Sequence, residues 1–181
     1  IITRQSKFTN HYKPEPIITV DDLQVSQFIY LMIENPNVRA VLDTITSKVI
    51  LILGRFSKER VEILDSLRTE LRKHNYIPIL FDFVNTPNRD ITETVSTLAH
   101  LSRFIIADLT DPKSIPHELS HIVQNLPSVP VIPIILETQR EYSMFEHFKR
   151  YQWVLEILKY KNKDDLIKRL KDEIILPSES K

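Results

Sequence analysis

Two hydrophobic periods alternate along this chain. The first is the unbroken apolar run. Residues 49–53 (V-I-L-I-L) are five apolar positions, three of them β-branched, with no polar residue between them. Such a run reads as a strand buried on both faces, the central strand of a parallel sheet. Strand-like stretches recur at 76–83 (Y-I-P-I-L-F-D-F), 103–109 (R-F-I-I-A-D-L), 129–136 and 153–157. Pro78 cannot donate to a ladder and suits an edge strand. Pro133 conflicts with a central position and predicts a short or bulged strand. The second period is helical. Val61, Leu64, Leu67 and Leu71 stripe one helix, and Ile91, Val95, Leu98 and Leu101 a second. Ile115, Leu119, Ile122 and Leu126 stripe a third, and Leu166, Ile167, Leu170 and Ile174 the last, over 164–175. A short helix is predicted over 141–151. Ser57 is placed to cap the first of these helices, Asp90 with Glu93 has capping-box spacing, and Ser114 precedes Pro116 at the start of the third.

Residues 1–20 show no periodicity, carry Pro14 and Pro16, and read as a linker or surface arm. Residues 21–47 read as a helical extension. One helix starts at Asp21 or Asp22, turns Leu23, Phe28, Leu31 and Met32 to one side, and ends at Asn35-Pro36; a second uses Val38, Val41, Leu42 and Ile45. An α/β domain over 48–177 follows, and Pro177 onward reads as a tail. Alternating strands and helices demand right-handed crossovers and helices on both faces of one five-stranded parallel sheet. The expected strand order is 2-1-3-4-5, the flavodoxin-like arrangement, whose switch point lies between the first and third strands. The loops after Leu53 and after Asp108 should therefore line one crevice.

Composition sharpens this picture at one place. Gly54 is the only glycine in 181 residues, where average usage predicts about a dozen. Its position at the carboxyl end of the most buried strand predicts a positive φ or a close approach of backbone to a ligand. Formal net charge is zero, with 42% hydrophobic and 27% charged residues, so neither nucleic acid nor an anionic membrane is expected as main partner. No apolar run approaches the ~20 residues of a membrane helix. The chain has no cysteine, which excludes disulfides, a thiolate nucleophile and a zinc–thiolate site, and fits a reducing, cytoplasmic compartment. It begins at Ile1 without a signal pattern and reads as part of something longer.

The crevice brings together Gly54-Arg55-Phe56 and the stretch from Asp108 through Ser114 to Glu118. Glu118 falls in the first turn of its helix. A carboxylate beside a sugar can stabilise positive charge at the anomeric carbon or attack it; the same residue can equally be an ordinary first-turn acid complementing the helix dipole. Arg55 can hold a phosphate, and Phe56 or Phe83 can stack on a base, with Asp82 beside them at the end of the second strand.

The segment A-D-L-T-D-P-K-S-I-P-H-E-L (107–119) resembles the third-strand-to-helix signature of nucleoside deoxyribosyltransferases and of bacterial TIR-like domains. V-I-L-I-L-G-R-F (49–56) is similar to the opening strand of TIR-like domains. From about Asp43 to Glu156 the chain looks like a group of bacterial TIR-like domains, some attached to pentapeptide repeats. The resemblance implies a TIR-like fold and a hydrolase that cleaves the N-glycosidic bond of NAD or a related nucleotide, as an effector in bacterial stress or antiviral signalling. By position it makes Glu118 catalytic, gives Asp108 the ribose pocket, and makes Gly54, Arg55 and Phe56 the first substrate loop. NAD is then a substrate and no cofactor is implied. Such domains generally complete their sites by oligomerising, which implies self-association. Ser120 stands where glycine usually follows the glutamate–leucine pair, and no deoxyribosyltransferase-type nucleophile cluster follows the first strand.

A phosphoacceptor receiver needs an acidic pair where Gly54-Arg55 stands, and no P-loop or dinucleotide glycine fingerprint occurs. His117-Glu118-Leu119-Ser120-His121 matches the H-E-x-x-H pattern of zinc proteases, but Pro116 opens a short helix between parallel strands, so surface histidines and no metal are expected. The remaining alternative is a non-catalytic nucleotide-sensing or self-associating module, with helices 21–46 as its contact surface.

Overall fold

The computed structural model describes residues 22–55, 57–82, 91–111, 115–140 and 146–181; within these, 59, 82, 91, 92 and 115–118 are described by backbone alone. The chain divides into two compact units, Ile1–Asp43 and Thr44–Lys181.

In the first unit, helix α1 (Leu23–Glu34) starts where Asp22 accepts a hydrogen bond from the Val25 amide at 2.9 Å, and none of its residues is buried. Asn35 ends α1 through its amide and opens α2 (Pro36–Lys48) through its side chain, which accepts from the Asn37 amide at 3.0 Å. Pro36 stops one helix and occupies the first position of the next, where its missing N–H costs nothing. Arg39 closes the end of α1 by donating to the Ile33 carbonyl at 2.7 Å.

The second unit is one parallel sheet in the order β2-β1-β3-β4-β5, as the alternation of periods predicts. Strand β1 (Val49–Gly54) follows α2 directly and is buried along its whole length. Its neighbours are the edge strand β2 (Ile77–Asp82) and strand β3 (Phe104–Asp108), followed outward by β4 (Val131–Leu136) and β5 (Leu158–Tyr160). Each face has its own core. Leu51, Leu53, Ile105 and Ala107 pack under helices α4 (Ile91–His100) and α5 (Ile115–Asn125). Ile50, Ile52, Phe104 and Ile106 pack under α3 (Lys58–Lys73), α6 (Lys163–Arg169) and the π-helical turn Leu170–Ile175. Among the described residues no helix is long and apolar enough to cross a membrane.

Several expectations are corrected. Val61 is exposed; Arg60 takes its place on the buried face, ahead of Leu64, Leu67 and Leu71. Ser57 stands at the N-cap of α3 with extended backbone but makes no side-chain cap bond. The fifth strand is not 153–157. Val154 forms only a bridge to Val131, and the ladder resumes with Leu158 opposite Ile134. Three steps along β4 thus face four along its neighbour, a bulge that admits Pro133 in an interior strand, because the facing chain leaves the ladder beside it. Residues 146 and 147 are 3-10 helix, and 148–151 continue as tight turns rather than α-helix, closed by bonds such as Tyr151 N to the Phe148 carbonyl at 3.0 Å. Residues 141–145, and Asp90 of the expected capping box, lie outside the described residues. The tail from Pro177 is ordered as helix α7 (Leu176–Glu179). Pro177 has no N–H for the carbonyl four residues back, and the turn before it opens so that the Leu176 amide bonds the Lys171 carbonyl. With glycine so scarce, Asn75 takes the left-handed conformation after α3, at φ 67°.

Candidate active site

Gly54 closes β1 beside the edge of the sheet where β2 and β3 also end. It pairs with Asp82 of β2 in register. Its φ is not positive. The expected left-handed turn is therefore absent, and the reason for glycine is packing. A Cβ at position 54 would come 3.2 Å from Cδ1 of Leu64 on α3 and 3.7 Å from Cβ of Asp108. The close approach is to the protein's own helix.

Arg55 follows at the mouth of the switch point. Its Nη1 lies 3.5 Å from Oδ1 of Asp111, with side chains 23% and 37% exposed. This contact joins the β1–α3 and β3–α5 loops, which are 56 positions apart, and so the two loops converge as the strand order requires. Arg55 Nε is buried and has no hydrogen-bond partner among the described residues.

Asp108 is engaged from within. Arg60, from the first turn of α3, donates to its Oδ2 through Nε at 3.0 Å and through Nη2. The same Nη2 donates to the Tyr160 hydroxyl of β5. Oδ1 of Asp108 accepts from the Thr110 amide at 3.1 Å, and the Thr110 hydroxyl accepts from the Leu136 amide at 3.1 Å. Asp108 and Arg60 are 2% and 6% exposed, so both oxygens of this carboxylate are held by protein. Burial works against charge on Arg60, but Asp108 and Tyr160 outweigh it and raise the guanidinium above its ordinary value. Burial, then the Asp108 charge, push the Tyr160 phenol up.

The other expected site residues divide as follows. Asp82 ends β2 beside Gly54, described by backbone alone. Glu118 has its backbone in the first turn of α5, whose buried residues Leu119, Ile122 and Val123 face the core opposite to that of α3. The Glu118 side chain lies outside the described residues, as do Phe56, Phe83 and Ser114. Sequence reading missed Arg60, Thr110, Asp111 and Tyr160. The signal for Arg60 was its spacing: positions 60, 64, 67 and 71 form a helical stripe as regular as the one drawn through Val61. Among the described residues no group of three His, Cys, Asp or Glu side chains gathers as a metal site.

No family model matches the chain, and no curated protein matches it in sequence. Among solved structures it is similar to the CMP N-glycosidase BcmB of Clostridium botulinum, with a TM-score of 0.54 and 11% identity, covering 67% of this chain and 97% of that one. It is also similar to a diflavin flavoprotein of Nostoc sp., with a TM-score of 0.51 and 12% identity, covering 74% and 94% of the two chains. At these identities the likeness is one of fold.

Proposed function

We propose that this chain hydrolyses the N-glycosidic bond of a nucleotide at the carboxyl edge of β1 and β3. The observation that carries the reading is the convergence of the two switch-point loops, Arg55 against Asp111, with the helix bearing Glu118 rising from the second of them. The flavodoxin-like architecture and the N-glycosidase activity in the name of the Clostridium protein support it. The finer reading is a TIR-like NAD glycohydrolase, self-associating and cytoplasmic, acting in bacterial stress or antiviral signalling. In that role a water oxygen bonds to C1′ of the ribose. The C1′–N bond breaks with its electron pair leaving on the base, and the water proton passes to the Glu118 carboxylate. Asp108 shapes the ribose pocket indirectly, by holding the Thr110 turn, because Arg60 occupies the oxygen a sugar hydroxyl would take.

The test is incubation with NAD and with CMP, in dilute and in concentrated protein, with the released base quantified. Glu118→Ala is expected to lower release by about a hundredfold or more. Intact nucleotide under every condition, or equal release by Glu118→Ala, would reject the reading. The non-catalytic, self-associating module is favoured by one observation: Phe28, Leu31 and Ile33 of α1 are each about half exposed.

A further inference from the structure

We propose that Arg55 is a fork for the phosphate of a nucleotide, and that Asp111 is a stand-in carboxylate occupying it while no phosphate is bound. The proposal rests on the reading above only in placing a nucleotide at this edge of the sheet. Arg55 is a permanently charged group with five donors, held where ligands of open α/β sheets bind. Its Nε is sealed from solvent and has no acceptor among the described residues, which leaves the terminal Nη1–Nη2 edge to meet a ligand; there Nη1 makes one long contact to Asp111, at 3.5 Å. The contrast with Arg60 is direct. That arginine uses both Nε and Nη2 on Asp108 and spends the latter on Tyr160 as well. Arg55 offers its terminal Nη1–Nη2 edge instead, and a single carboxylate oxygen at the edge of range on Nη1 leaves that fork incomplete.

The planar fork matches two oxygens of one phosphate, and a dianion competes well against one loosely held carboxylate. Asp111 is anchored through its neighbour, since the Thr110 amide bonds Asp108 and the Thr110 hydroxyl accepts from Leu136. Its own carboxylate is partly exposed and can turn to water when displaced. Asp111 thus sets a threshold: a nucleoside has no anion with which to displace it, whereas a nucleotide does.

The test is binding, read by calorimetry without reference to turnover. Nicotinamide mononucleotide, CMP and AMP are each titrated beside the corresponding nucleoside, with inorganic phosphate as a separate arm. The proteins are the unaltered chain, Arg55→Lys and Asp111→Asn. Both side chains are partly exposed, so neither change opens the core. Arg55→Lys keeps the charge and the ion pair but loses the fork. At least one monophosphate is expected to bind about tenfold or more tighter than its nucleoside. Arg55→Lys should erase that advantage, and Asp111→Asn should widen it about threefold. The proposal is overturned if no monophosphate outbinds its nucleoside, if the advantage survives Arg55→Lys, if Asp111→Asn narrows it, or if inorganic phosphate alone binds as tightly as a nucleotide. The expected pattern without base release would uphold the fork while rejecting the glycosidase.

Discussion

At the carboxyl end of β3, Arg60 meets Asp108 and Tyr160; just before its amino end, Glu179 meets Arg103 and Tyr76. Both clusters are an arginine, a carboxylate and a tyrosine drawn from distant parts of the chain. Arg60 and Asp108 have side chains 8% and 2% exposed, whereas Arg103 and Glu179 are 35% and 34% exposed. In the first, desolvation makes each charge depend on the other, so the set holds one geometry or fails. In the second, water shares the work. Arg103 donates to Glu179 through Nε and Nη2 at 3.2 and 2.8 Å, and the Tyr76 hydroxyl donates to it at 2.9 Å, tying the end of α7 to the residues that lead into β2 and β3. The same chemistry serves as a rigid floor under the candidate site at one end and as a strap for the chain terminus at the other.

Removing one arginine from each cluster tests this contrast most strongly. Arg60→Ala leaves Asp108 buried and unpaired and is expected to cost about 3–5 kcal/mol. Arg103→Ala is expected to cost less than about 1 kcal/mol. Urea unfolding measures both, and comparable losses would break the comparison. Replacing the buried pair together, with Arg60→Met and Asp108→Leu, should recover much of the first loss, because the penalty lies in the stranded charge.

Packing beside the buried cluster gives a smaller effect. Gly54→Ala meets no backbone strain, but its Cβ presses Leu64, which is fully buried. A loss of about 1 kcal/mol is expected, read from the same unfolding curves; unchanged stability would mean that this corner is looser than the cluster requires.

The exposed cluster should reveal itself through pH rather than through a large loss. Burial, then the bond to Glu179, push the Tyr76 phenol up to about 12 from its ordinary 10.0. The folded chain keeps this proton where the unfolded chain has lost it, so the contribution is whole below pH 10 and is lost as pH rises toward about 12. Burial raises the Glu179 carboxyl, but Arg103 and Tyr76 outweigh it and leave the group below its ordinary value. That contribution is whole above the usual carboxylate range and lost as pH falls through it. Stability curves against pH should lose the alkaline slope in Tyr76→Phe and the acid slope in Glu179→Gln, and each should weaken the other slope, because each group is part of the cause of its partner's shift.

The strands at 49–54 and 104–108 were legible because burial on both faces leaves an unbroken apolar run, a property of neighbouring residues alone. The alternation of strands and helices carried the order of the sheet, since crossover handedness leaves few topologies. The convergence of the Gly54 and Asp108 loops followed from that order. β5 was misplaced because W-V-L-E-I has the composition of a strand, whereas pairing with β4 selects L-K-Y, whose Leu158 and Tyr160 both reach the core. The site residues the sequence hid are those with charge on a buried face. Helical spacing alone cannot choose between Arg60 and Val61, and hydrophobicity chooses wrongly. A buried arginine is stable only when a carboxylate and a hydroxyl from β3 and β5 arrive beside it, 48 and 100 positions away. Local pattern determined which segments are strands and helices and how they wind. Long-range electrostatics decided which side chains the carboxyl edge could hold, because the free energy of a buried charge depends on partners that no local stretch of sequence contains.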